Sequence, residues 1–149
     1  MIQYITKSLK TVLFCFFILS AMNGCRKDYN SVVPDVLVNY NFNPINAIEL
    51  NVPGGSFYIK NIGYGGIIIF RNMPDDPNPF TAYDATCTYE VSSTCHVVDP
   101  DGSGVAKCTC CGSEYILFSG SGSPIKGAAT QPLKQYHTSF LGGIINIRN

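Results

Sequence analysis

From Val36 onward the apolar positions fall in short runs broken by polar and turn-forming clusters, and nowhere does a helical period persist. The runs are Val36–Phe42, Phe57–Ile59, Gly66–Phe70, Phe80–Tyr83, Tyr115–Phe118 and Ile144–Ile147, rich in β-branched and aromatic residues. Clusters such as Pro53-Gly54-Gly55 and Pro74-Asp75-Asp76-Pro77 separate them as turns. Strands this short and this numerous predict an all-β domain, a small antiparallel sandwich or barrel.

The N-terminal pattern is different. Lys7 and Lys10 precede an apolar stretch, Thr11–Met22, that is too short to span a bilayer as a helix. Residues Met1–Gly24 therefore read as a signal peptide, and the alternative is an uncleaved hydrophobic anchor. The run Met22-Asn23-Gly24-Cys25 resembles a bacterial lipobox, which implies cleavage before Cys25 and a lipid on its thiol. Polar residues after Cys25 read as a tether over 25–35, followed by one domain over 36–149. The resemblance implies an outer-membrane lipoprotein on the periplasmic or cell-surface face. Arg26-Lys27-Asp28 resembles the surface-export signals of some Gram-negative lipoproteins.

Removing 24 residues from 149 leaves 125, enough for one core and no second domain. That part carries eight Lys or Arg and ten Asp or Glu, a formal charge of −2, with no basic patch. Nucleic acid is excluded as a partner on that ground. The expected partners are the membrane, through the lipid on Cys25, and a protein for redox exchange or assembly.

Five cysteines remain, Cys87, Cys95, Cys108, Cys110 and Cys111, all between residues 87 and 111. In an exported protein such thiols pair or hold metal, and an odd number leaves at least one over. Cys108 and Cys111 have the C-x2-C spacing by which a tight turn holds one metal. With Cys87 and Cys95 they make a candidate four-thiolate set for zinc or an iron–sulfur cluster.

Two boxes carry a family resemblance. Ala82-Tyr83-Asp84-Ala85-Thr86-Cys87-Thr88-Tyr89 is similar to the Cys-x-His box of Rieske iron–sulfur domains. Cys108-Thr109-Cys110-Cys111-Gly112-Ser113-Glu114-Tyr115 resembles their second box, Cys-Pro-Cys-His-Gly-Ser-x-Tyr. Gly127-Ala128-Ala129 and Pro132-Leu133 follow where that family has a Gly-Pro-Ala turn and a Pro-Leu strand. The resemblance covers about residues 55–140, with cluster-type loops over about 84–118. It implies the Rieske β fold and a [2Fe–2S] cluster used for electron transfer.

The ligand positions depart from the family. Two cysteines there bind one iron and two histidines the other; here Cys87 and Cys108 match, but Tyr89 and Cys111 stand at the histidine positions. His96 and His137 lie at neither. Three readings follow. Cys87, Cys95, Cys108 and Cys111 bind a [2Fe–2S] cluster or a single metal such as zinc. Alternatively, Cys95 and Cys110 form a disulfide like the one that braces the boxes in high-potential family members, and the rest of the site is a relic. In the third, two disulfides staple a site with no cofactor. Ser113 and Tyr115 match family positions whose hydroxyls donate to the cluster's sulfurs, and otherwise read as a turn serine and a core tyrosine.

Nothing points to an enzyme. Cys95 and His96 are adjacent, so on an extended segment their side chains face opposite ways. Asp75, Asp76, Asp99 and Asp101 sit in turn-like Pro and Gly runs. The expected function is a lipid-anchored, Rieske-like iron–sulfur or metal-binding protein in electron transfer; the alternative is a non-redox structural or binding lipoprotein that keeps the fold.

Overall fold

The computed structural model describes residues 31–99 and 101–149. The signal peptide expected over 1–24, Cys25 and the expected tether as far as residue 30 lie outside the described residues. Among those described, no helix is long and apolar enough to cross a membrane.

Ten strands follow in order among the described residues: β1 (Asn39–Phe42), β2 (Ser56–Ile59), β3 (Ile67–Arg71), β4 (Phe80–Asp84), β5 (Val97–Val98), β6 (Val105–Cys108), β7 (Glu114–Ile116), β8 (Pro124–Lys126), β9 (Gln135–Leu141) and β10 (Ile144–Arg148). They form a six-stranded sheet, β1-β10-β9-β4-β3-β2, and a four-stranded sheet, β5-β6-β7-β8. Every pairing is antiparallel. This is the all-β fold of the sequence analysis, a large curled sheet carrying a small cysteine-bearing subdomain.

The burial of β3 explains its unbroken apolar text. Ile67 and Ile69 enter one core with Phe42, Leu50, Tyr136, Ile145 and Ile147. Ile68 and Phe70 enter a second, with Tyr83, Val97, Tyr115 and Leu117. Alternation along the strand aims successive side chains at opposite faces, so a strand covered on both sides needs apolar residues throughout. Each such buried isoleucine contributes roughly 1.5–3 kcal/mol. Cys87 and Cys108 belong to the second core, which places the site against the hydrophobic layer that joins the sheets.

Two boundaries differ from the sequence pattern for physical reasons. The strand expected over 36–42 begins at Asn39, because the Asn149 side chain takes the ladder's place: its Oδ1 accepts from Val38 N at 2.9 Å and its Nδ2 donates to Val36 O at 2.9 Å. Packing nevertheless starts ahead of Val36, within the segment expected as tether. Val33 is buried, and Lys134 Nζ donates to Pro34 O at 3.2 Å and pairs with Asp35.

Candidate metal centre

β4 delivers the first box. Its last residue, Asp84, is buried and accepts five donors: Tyr64 N at 2.8 Å, Gly65 N at 3.1 Å, Thr86 N at 3.0 Å, Thr86 Oγ1 at 2.5 Å and the Tyr136 hydroxyl at 2.6 Å. This carboxylate turns the chain out of the sheet and fixes Thr86, one residue before Cys87. Gly65 packs so tightly there that a Cβ would sit 2.3 Å from Thr86 Oγ1.

The second box is the tip of the β6–β7 hairpin. Cys108 N donates to Ser113 O at 2.8 Å and Gly112 N to Cys108 O at 3.1 Å, which closes a tight turn. Gly112 has φ of 71° there, in the left-handed region that suits glycine.

The two loops are bolted together by a disulfide. Cys95 and Cys110 are bonded, with Cα atoms 5.6 Å apart. Cys95 is therefore not the fourth thiolate of the set expected from the sequence, because a sulfur in a disulfide has no lone thiolate to offer a metal. Cys87, Cys108 and Cys111 are free, and their sulfurs all lie within 4.8 Å of one another. Cys87 Sγ and Cys111 Sγ are 3.5 Å apart.

Two hydroxyls face these sulfurs. Ser113 Oγ accepts from Ala128 N and Ala129 N, both at 3.1 Å, and lies 3.1 Å from Cys111 Sγ. The Cys111 thiol donates to this oxygen, and once Cys111 gives up its proton the serine hydroxyl stands in reach to donate back to the sulfur. Tyr115 OH lies 3.5 Å from Cys87 Sγ and 3.0 Å from Thr88 Oγ1, and accepts from Thr88 N at 3.2 Å. Thr88 already donates its hydrogen to Gln131 O at 2.7 Å. The phenol hydrogen therefore has two acceptors, Thr88 Oγ1 and Cys87 Sγ, and a thiolate at Cys87 draws it.

The three thiols are not equivalent. Burial acts to raise Cys87, but the Glu90 backbone N–H, the Tyr115 hydroxyl and the Tyr89 backbone N–H outweigh it and hold this thiol below its ordinary value. Burial pushes Cys108 up to about 11, with the Cys87 and Cys111 sulfurs adding to the rise and the N–H groups of Cys111 and Cys110 offsetting part of it. Cys87 thus ionises before Cys108. Burial, with Cys87 adding to it, raises Tyr115 and keeps its phenol protonated as a donor.

The donor set does not fit a two-histidine Rieske cluster. Tyr89, at the first histidine position, is 57% exposed. His96 Nδ1 lies 2.9 Å from Gly65 O, a group that only accepts, so this nitrogen carries a proton. His137 is exposed on β9. Among the described residues, neither histidine joins a metal-capable group. Three converging thiols do fit a thiolate-bound metal. One further donor, not expected from the sequence, is Glu90, whose carboxylate lies within 4.8 Å of the Cys108 and Cys110 sulfurs.

The curled antiparallel sheet with its cysteine-bearing hairpin subdomain is a Rieske-like fold. The cyanobacterial plasma membrane Rieske protein PetC3 from Synechocystis PCC 6803 superposes with a TM-score of 0.53 at 23% identity, over 77% of this chain and 100% of that one. The ferredoxin of carbazole 1,9a-dioxygenase from Nocardioides aromaticivorans IC177 matches with a TM-score of 0.47 at 14% identity, over 76% of this chain and 98% of that one. No protein-family model matches the sequence, and no curated protein matches it significantly.

Proposed function

We propose that this chain is a lipid-anchored metalloprotein of Rieske fold whose thiolate centre, at Cys87, Cys108 and Cys111, replaces the mixed-ligand cluster of that fold. The observation that carries this reading is the convergence of three free sulfurs within 4.8 Å, with the buried hydroxyls of Tyr115 and Ser113 in contact with two of them. Free thiols crowded in this way in an exported protein are held by metal or oxidised to a disulfide. Ser113 supports the first outcome, because a Cys111 that gives up its proton to a metal has the serine hydroxyl 3.1 Å away to donate to it, and hydrogen bonds to thiolate are how a protein tunes a bound metal.

The protein's own residues shield the centre from one side and expose it on the other. Tyr115 and Ser113 are buried beneath the sulfurs, while Tyr89, Glu90, Thr109 and Cys110 are exposed. We assign that exposed rim as the contact surface for a protein partner in redox exchange or assembly, and assign no catalysis to the domain. Iron or an iron–sulfur group bound here would supply one-electron exchange, and zinc would supply structural closure. The lipid on Cys25 would hold the domain at the outer membrane, on its periplasmic or outer face.

The test is metal analysis and visible absorption of protein purified without oxygen, beside a variant carrying Cys87→Ser, Cys108→Ser and Cys111→Ser. Bound metal in the first and none in the second is the expected result. A metal-free protein in which two of the three cysteines have formed a disulfide supports the alternative, a non-redox lipoprotein that retains the fold alone.

A further inference from the structure

Cys87 and Cys108 occupy matching turns. In the second box, Cys110 N donates to Cys108 Sγ at 3.4 Å, and the Cys111 N–H also faces that sulfur. In the first, the N–H groups of Tyr89 and Glu90 face Cys87 Sγ. Each cysteine is thus wrapped by the N–H groups two and three residues on, the local geometry of a metal-binding knuckle. In the second box the third residue on is a free thiol, Cys111. In the first it is Glu90.

Glu90 has no other occupation. Its carboxylate lies 3.8 Å from Cys95 Sγ, but that sulfur is in the disulfide and has no hydrogen to give. Among the described residues, no cation pairs with it. It shares with Cys108 a group of donor atoms within 4.8 Å, and Cys108 in turn shares one with Cys87 and Cys111. The Glu90 side chain is exposed, so rotation about its own bonds can carry the carboxylate from Cys110 toward the three free sulfurs.

The sulfurs themselves favour one ion over two. In the Rieske pattern that the sequence resembles, the ligands at positions 87 and 111 serve different irons and stand apart across the cluster. Here those two sulfurs are 3.5 Å apart. A tetrahedral ion with metal–sulfur bonds near 2.3 Å sets its thiolates about 3.8 Å from one another. Three thiolates and one carboxylate combine soft and hard donors, a mixture that zinc and similar borderline divalent ions accept.

We propose that Cys87, Glu90, Cys108 and Cys111 together bind a single zinc-class divalent ion, with Glu90 as the fourth ligand. This rests on the thiolate centre of the preceding section and adds its nuclearity and its missing donor. Each thiol gives its proton to solvent as the ion binds, and no electron moves.

Cobalt(II) is the probe, because its thiolate charge-transfer absorption scales with the number of bound sulfurs. The full chain is purified in detergent without oxygen, with the Cys95–Cys110 bond intact, and titrated alongside Glu90→Gln and Glu90→Cys. The expected results are one cobalt per chain, at least about tenfold weaker binding in E90Q, and charge-transfer absorption about one-third stronger in E90C as three thiolates become four. One cobalt in every form, with equal affinity in E90Q and no added absorption in E90C, overturns the role of Glu90 and leaves the three-thiolate centre standing. Two irons with two inorganic sulfides per chain overturns the single-ion assignment. No metal in any form, with all three thiols reduced, overturns both readings.

Discussion

Replacing Asp84 by asparagine tests whether the first box is held by its buried carboxylate. Oδ1 accepts Gly65 N, Thr86 N and Thr86 Oγ1, and Oδ2 accepts Tyr64 N and the Tyr136 hydroxyl. In its better orientation the asparagine keeps its oxygen at the first position and puts its NH2 at the second. The Tyr136 hydroxyl can turn to accept from that NH2, but the Tyr64 N–H cannot and is left facing another donor. Orphaning this part-buried N–H costs about 1–3 kcal/mol, and the remaining bonds lose the strength that charge gave them. The sum is about 4 kcal/mol, a large part of the 5–15 kcal/mol that typically holds a domain. Urea unfolding of residues 31–149, the compact unit of the chain, measures it. With a slope of about 2 kcal/mol per molar, the midpoint should fall by roughly 2 M. A shift below about 0.5 M would show that the loop is held by its other contacts and refute the reasoning.

Three further outcomes follow from the same geometry. Cys25→Ala should release the protein from membranes into the soluble fraction without detergent, and retention in a carbonate wash would contradict the lipid anchor. Ser113→Ala removes the acceptor for Ala128 N, Ala129 N and the Cys111 thiol, and the hydroxyl that would donate to a Cys111 thiolate, so it should lower stability by about 2–4 kcal/mol in the same urea assay and weaken metal binding about tenfold. Cys108 is pushed up to about 11 and is protonated at neutral pH, so binding must expel its proton. Apparent zinc affinity, measured by competition with a chelator of known pH dependence, should therefore rise at least about tenfold per pH unit between neutrality and pH 9. A flat profile would mean that Cys108 is not a ligand.

The central strands were legible because burial on both faces leaves unbroken apolar text, as in Ile67–Phe70, and the Cys108 turn was legible from its spacing. β9 was missed by the strand pattern because Tyr136 is its one buried side chain. β5 and β6 were missed for their shortness and for Lys107 and the glycines between them. The partner of Cys95 was not fixed by spacing, since several pairings close loops of similar length. It depends on which strand ends the ladder Val97↔Cys108 brings together. The sequence assigned Asp84 no role, because its five donors come from residues as distant as Tyr136. Glu90 did leave a signal, because Cys87 and Glu90 repeat the interval of Cys108 and Cys111. A single exposed carboxylate gives no hint that it borders three sulfurs until the hairpin is folded.

Native mass spectrometry of the protein isolated without oxygen tests the central claim most directly, since one spectrum reports both bound mass and the oxidation state of the thiols. The account predicts a chain carrying metal, with the Cys95–Cys110 bond present and Cys87, Cys108 and Cys111 shielded from alkylation until a chelator is added. A metal-free chain whose three cysteines alkylate at once, or have already closed a second disulfide, would contradict it.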